Sequence, residues 1–203
     1  MRKPYKVGDW LWVKETYRFL QGDGNPNDFG ISYLADNCIV WYIDGEATMN
    51  YPIDTKTRPS LFMSRKLSRI LLEVTGVKEC RLQKITAEEA INEGITSFTL
   101  PGKGDKIFYQ DYDATSAGWC PWEKAIDSFS SLWDLINGKK KGCSWNDNPE
   151  VFMYQFKDLS LEHKTTQDMI LHNYYNCHPI LFKGEMVRAI LDRTKKQTTR
   201  IKK

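Results

Sequence analysis

Hydrophobic and polar positions alternate in short stretches along this chain and rarely run long. Asp9-Trp-Leu-Trp-Val-Lys14, opening at a turn signal at Gly8-Asp9, is apolar on both parities, which predicts a strand partly covered on both faces. Residues 21–30 are rich in Gly, Asn, Asp and Pro and predict a loop. Cys38–Ile43 is an apolar run stopped by Asp44-Gly45, a hairpin-type turn, and 50–60 reads as loop around two prolines. Arg69–Val77 predicts a buried strand, and Val151–Lys157 another.

Helical spacing enters in three places. Thr86-Ala-Glu-Glu89 is a capping box, so a short helix is expected to begin there and to stop at Gly94. Trp122, Ala125, Ile126, Phe129, Leu132, Trp133 and Ile136 recur at steps of three and four between Pro121 and Gly138, which predicts a second helix with Trp122 and Trp133 in its core face. Gly184–Asp192 predicts a third, burying Met186, Val187, Ile190 and Leu191. The polar stretch 99–120 reads as an excursion or lid, and 158–179 as a connector, helical over Thr166–Asn176. Strands mixed with short helices and no repeat imply an α+β fold built on a small barrel or curled sheet.

Composition narrows the class. The length of 203 residues suits one compact domain, and 29 basic against 26 acidic side chains argue against a nucleic-acid coat protein. Aromatic residues make up 13%, with 7 Trp, which favours a β-rich fold, a stacking surface or both. Five cysteines without a C-x-x-C pair, no apolar signal-peptide core in residues 1–12 and no membrane-length apolar run predict a cytoplasmic protein with reduced thiols and no membrane span. His163, His172, His178 and Cys177 cluster in sequence, but their spacings fit no ligand pattern, so no metal and no cofactor are expected.

Candidate chemistry falls at two places. Glu93 lies in the last turn of its helix, where the macrodipole disfavours a carboxylate: it is either solvated or held near a cation. Lys195 and Thr198 lie three apart beyond the last helix. A Thr hydroxyl becomes nucleophilic only when a base takes its proton, and a Lys serves as that base only when burial or neighbouring cations lower its pKa. Lys196 and Arg200 supply cations; the alternative is a solvated basic tail. Trp10 and Trp12 point to the same side of their strand, available either for core packing or for stacking on a base.

These pieces form an ordered set. Lys6-Val-Gly-Asp-Trp-Leu-Trp-Val-Lys-Glu15, Ser68–Val77, Leu82–Ile95, Leu132–Gly138, Trp145–Val151, Pro179–Leu191 and Gln197-Thr-Thr-Arg200 together resemble the phage-type proteins of the ASCH-domain superfamily, which adopt a PUA-like β-barrel. The resemblance implies a single domain over 1–203, with excursions at 16–60 and 96–120 and a connector at 158–178. In that family a helix and a Gly-Arg-Lys-Thr-x-Thr-x-Arg-like motif open the domain and the Gly-Asp strand follows. Here the opening block stands near Lys203, which implies a circular permutation with the two ends of the chain close in space.

Members similar to this chain hydrolyse N4-acetylcytidine. By that resemblance the catalytic set maps to Lys195, Thr198 and Glu93, with Lys195 deprotonating Thr198 and Thr198 attacking the acyl carbon. Arg200 and Lys196 would contact the substrate, and Trp10 and Trp12 would stack on its base. Lys196 replaces the family's usual Thr, and Arg193-Thr194 its Gly-Arg. The implied partner is a nucleoside or an RNA, and the implied class an amidohydrolase. The alternative is a non-catalytic module that binds RNA or a modified base. Charge agrees with an anionic ligand: residues 183–203 hold eight basic and two acidic side chains, and residues 1–7 hold three basic and none acidic.

Overall fold

The computed structural model describes residues 5–21, 29–42, 56–112, 121–160 and 177–202. These residues form a mixed α+β fold. In chain order the elements are β1 (Trp10–Lys14), β2 (Tyr17–Gln21), β3 (Phe29–Tyr33), β4 (Ile39–Tyr42), β5 (Leu71–Arg81), α1 (Ala87–Asn92) and β6 (Ser97–Thr99). They continue with β7 (Ile107–Tyr109), α2 (Ala125–Asn137), β8 (Glu150–Asp158), β9 (Cys177–Leu181), α3 (Gly184–Leu191) and β10 (Gln197–Ile201). The chain is organised as two compact units. One comprises Met1–Gly8, Val74–Lys157 and Ala189–Lys203, and the other Asp9–Glu73 and Asp158–Arg188.

In the second unit β1 pairs antiparallel with the start of β5, Trp10 opposite Glu73, and parallel with β9, Trp10 opposite Cys177. Leu11 and Val13 are fully buried while Trp10, Trp12 and Lys14 are half-buried, the alternation expected of a strand whose two faces differ. Residues 16–60 hold more than an excursion: β2, β3 and β4 form an antiparallel sheet, with Tyr17 opposite Tyr33 and Phe29 opposite Tyr42. Tyr17, Phe19, Phe29, Ile31, Tyr33, Met63 and Leu67 make its core. Phe29 and Gly30, placed in a loop by their Asn/Asp/Gly neighbours, are buried strand residues because Phe29, Ile31 and Tyr33 share one face. Arg69 ties the unit together. Its guanidinium donates to both carboxylate oxygens of Glu15 at 3.1 and 2.8 Å and to both of Asp36 at 2.9 and 2.8 Å, and lies 4.2 Å from the Tyr33 ring centre.

In the first unit β8 pairs antiparallel with β10, from Gln197 opposite Gln155 to Ile201 opposite Val151, and β5 lies on the other edge of β8. The tail read from composition as solvated is therefore a strand. It is held because Thr198, Thr199 and Gln197 are buried against β8 and α1, where a water-exposed basic tail would gain nothing. Tyr5 packs edge-on against Tyr154 at 5.2 Å, and the amide of Gly8 donates to the carbonyl of Val74.

Helix α2 buries Ala125, Phe129, Leu132 and Trp133, each large side chain contributing about 1.5–3 kcal/mol. It begins at Ala125 and not at Pro121. Trp122 instead pairs through its backbone with Tyr109 and is 38% exposed, outside the core face expected for it. The excursion at 96–120 contains the hairpin β6–β7, in which Phe98 lies opposite Phe108, with Gly102 and Gly104 in left-handed conformations in its turn. Residues 113–120 of that stretch and 161–176 of the connector, with the helix expected there, lie outside the described residues.

Candidate functional site

Helix α1 supplies the first half of the site. Thr86 Oγ1 accepts from the amide of Glu89 at 3.2 Å and the Glu89 carboxylate accepts from the amide of Thr86 at 2.8 Å, so both arms of the capping box are made. The other end leaves carbonyls without intrahelical partners and concentrates partial negative charge. Glu93 occupies that end, and its carboxylate is buried with only 5% of the residue exposed. Two negative groups thus converge where water cannot solvate them.

The second half arrives through the turn after α3. Arg193 takes a left-handed conformation at φ 59°, and the amides of Thr194 and Lys195 both donate to the carbonyl of Ala189, at 2.9 and 2.8 Å. This reverses the chain and lays Lys195 beside Glu93 as an antiparallel bridge, while the amide of Lys196 donates to the carbonyl of Asn92 at 2.8 Å. Gly94 permits the approach. It sits at φ +82°, and a Cβ there would fall 2.7 Å from Lys195 Cβ and 2.9 Å from Ala189 Cβ. It closes the helix and leaves room for the incoming strand at once.

Lys195 Nζ donates to the Glu93 carbonyl at 2.7 Å and to Glu93 Oε2 at 2.9 Å. One ammonium answers both the carboxylate and the negative end of the helix. The other carboxylate oxygen, Oε1, accepts from Thr199 Oγ1 at 2.5 Å and from Gln197 Nε2 at 3.4 Å. The Lys195 side chain is fully enclosed, and this burial pushes its ammonium below the ordinary lysine range. The Glu93 charge opposes the shift, and the positive charge of Arg200 reinforces it.

Strand parity sorts the remaining residues. Gln197 and Thr199 share the face of β10 that meets Glu93; Thr198 and Arg200 occupy the opposite face, across from Tyr154 and Phe152 of β8. Of the three residues named for catalysis, Lys195 and Glu93 are in contact, and Thr198 is buried on the far side of the strand from them. Lys196 is exposed and Arg200 half-buried. Trp10 and Trp12 belong to the second unit, where they pack against Leu71 and Leu159 with Cys177. Lys14 Nζ lies 5.2 Å from the Trp12 ring centre.

No family model, no curated protein and no solved structure matches this chain.

Two members of the site, Gln197 and Thr199, escape a reading built on the spacing of Lys195 and Thr198. Their signal lies in strand alternation: an extended segment sends 195, 197 and 199 to one side. The arrangement holds an anionic base, a cation fixing one of its oxygens and a hydroxyl on the other, which is what proton transfer to and from an oxygen nucleophile requires. Among the described residues no group of three or more His, Cys, Asp or Glu is placed to hold a metal ion, and His163 and His172 lie outside them. Cys38, Cys80, Cys143 and Cys177 are free thiols. No helix among the described residues is long and apolar enough to cross a membrane.

Proposed function

We propose that this chain is a nucleobase-recognising protein of the ASCH, PUA-like type and that it hydrolyses the amide of N4-acylated cytidine-like nucleosides in the cytoplasm. The observation that carries the reading is the enclosed Lys195–Glu93 pair. A buried lysine with a depressed pKa next to a buried carboxylate is costly to build, and such pairs are arranged where protons are moved. Amide hydrolysis needs a proton taken from an attacking oxygen and returned to the leaving nitrogen, and the Glu93 carboxylate is a proton acceptor held in place by Lys195 Nζ at 2.9 Å.

The permuted order has its own support. Tyr5 packs on Tyr154, and Tyr154 lies directly opposite Thr198, so the first described residue and β10 meet the same residue of β8. This proximity is what the joining of the two ends requires.

The test is direct. The purified protein is incubated with N4-acetylcytidine and release of cytidine is followed by chromatography. Turnover that vanishes in Glu93→Gln and Lys195→Met, with circular dichroism showing both variants folded, supports the reading. Absence of turnover at high enzyme concentration removes it, and salt-dependent RNA binding without turnover would move the protein to the binding class.

A further inference from the structure

The hydroxyl held by the buried carboxylate belongs to Thr199, four residues past Lys195. From that juxtaposition we propose that Thr199 is the nucleophile of this site, with Glu93 as its base and Lys195 as the cation that fixes the base; the inference rests on the hydrolase reading above.

Three observations carry it. Thr199 Oγ1 lies 2.5 Å from Glu93 Oε1, the separation of a charge-assisted O–H···O⁻ bond, so the proton to be removed already points at its acceptor. Glu93 is itself oriented by two further donors, Lys195 Nζ on Oε2 and Gln197 Nε2 on Oε1. Nucleophile, base and orienting group thus stand in sequence, the relation by which hydroxyl nucleophiles are activated on unrelated folds. Thr199 is the least enclosed of the four, at 9% exposed against 5% for Glu93, 2% for Lys195 and 1% for Gln197, and it is the member that carries a hydroxyl. Thr198 fails on geometry, because alternation along β10 turns its side chain away from both Glu93 and Lys195.

The step balances within these residues. The Thr199 hydroxyl proton passes to Glu93 Oε1 as the Thr199 Oγ1–acyl carbon bond forms. The carbon–nitrogen bond then breaks, and the leaving nitrogen takes the proton from Glu93. A water next gives a proton to Glu93 and its oxygen bonds to the acyl carbon. The ester to Thr199 breaks, Thr199 recovers a proton from Glu93, and the free acid departs.

Two probes separate this inference from the hydrolase reading. The full chain is treated with p-nitrophenyl acetate, quenched in acid and mapped by peptide mass spectrometry; in parallel, N4-acetylcytidine turnover is measured in Thr199→Val, Thr199→Ser and Thr198→Val, with circular dichroism confirming that each is folded. Acetyl is expected on Thr199. Turnover is expected to fall about a thousand-fold in Thr199→Val, to recover in large part in Thr199→Ser, and to fall far less in Thr198→Val. Acetyl on Thr198, or undiminished turnover in Thr199→Val, overturns the assignment and leaves the hydrolase reading standing. Acetyl on Thr199 without N4-acetylcytidine turnover overturns the substrate alone. Neither label nor turnover overturns both.

Discussion

Lys195 Nζ bonds both the backbone carbonyl and the carboxylate of Glu93, a residue 102 positions earlier. A single ammonium caps the C-terminal end of α1 and neutralises the acid placed there. Both partners are enclosed, so each is tolerable only in the presence of the other.

Removing either partner should therefore be costly. Lys195→Met leaves a buried carboxylate without its cation, and Glu93→Gln leaves a buried ammonium without its anion. Each is expected to lower stability by about 3–5 kcal/mol. The double variant, which removes both charges, should recover most of that loss. Urea denaturation of the four proteins gives the comparison, and strictly additive losses would show that the two charges do not compensate one another.

The pair also sets a pH dependence. Burial holds the Lys195 pKa below the usual 10.5, so above the folded value the unfolded chain binds the additional proton. Stability should rise with pH between the depressed value and 10.5, and the full penalty should be present below it. Wild type compared with Lys195→Met across alkaline pH isolates this slope. A difference between the two that stays flat, or falls as pH rises, would contradict a lysine pKa lowered by burial.

Gly94 offers a test of the local architecture. Gly94→Ala places a Cβ at φ +82° and within 3 Å of Lys195 and Ala189, and should cost about 2–4 kcal/mol. Gly102→Ala carries the same backbone strain at φ +81° but meets open space, and should cost only about 1 kcal/mol. Thermal melts of the two variants separate close approach from backbone conformation.

The second unit has a comparable dependency at Arg69. The Glu15 carboxylate has no exposed side-chain surface and burial pushes its pKa up; the hydrogen bonds and charge of Arg69 pull it back. Arg69→Met should destabilise by about 3–5 kcal/mol. Arg69→Lys keeps the charge but loses the fork that engages Glu15 and Asp36 together, so it should recover only part of the loss. Full recovery by lysine would show that charge alone matters there.

Local signals were legible in the sequence. The capping box at Thr86, the stop at Gly94, the start of β1 after Gly8-Asp9 and the strand at 150–158 all depend on neighbours a few positions away. The losses came where distant contacts decide. β10 reads as a basic tail because its burial depends on β8 and α1, which local composition does not encode. Strands β2 and β3 hid between turn-rich stretches, although the alternation of Phe29, Ile31 and Tyr33 pointed to β3, while β4 falls within the apolar run Cys38–Ile43. At the site, spacing singled out Lys195 with Thr198 and the end of a helix singled out Glu93, while the hydroxyl that meets Glu93 follows from strand parity, known only once β10 is a strand.

The order of synthesis gives the antiparallel bridge between Glu93 and Lys195 another meaning. Helix α1 leaves the ribosome long before β10, and through that interval Glu93 is without Lys195. Arrival of β10 is then the event that closes the edge of β8 and completes the pair at once, so strand pairing and charge pairing become a single step.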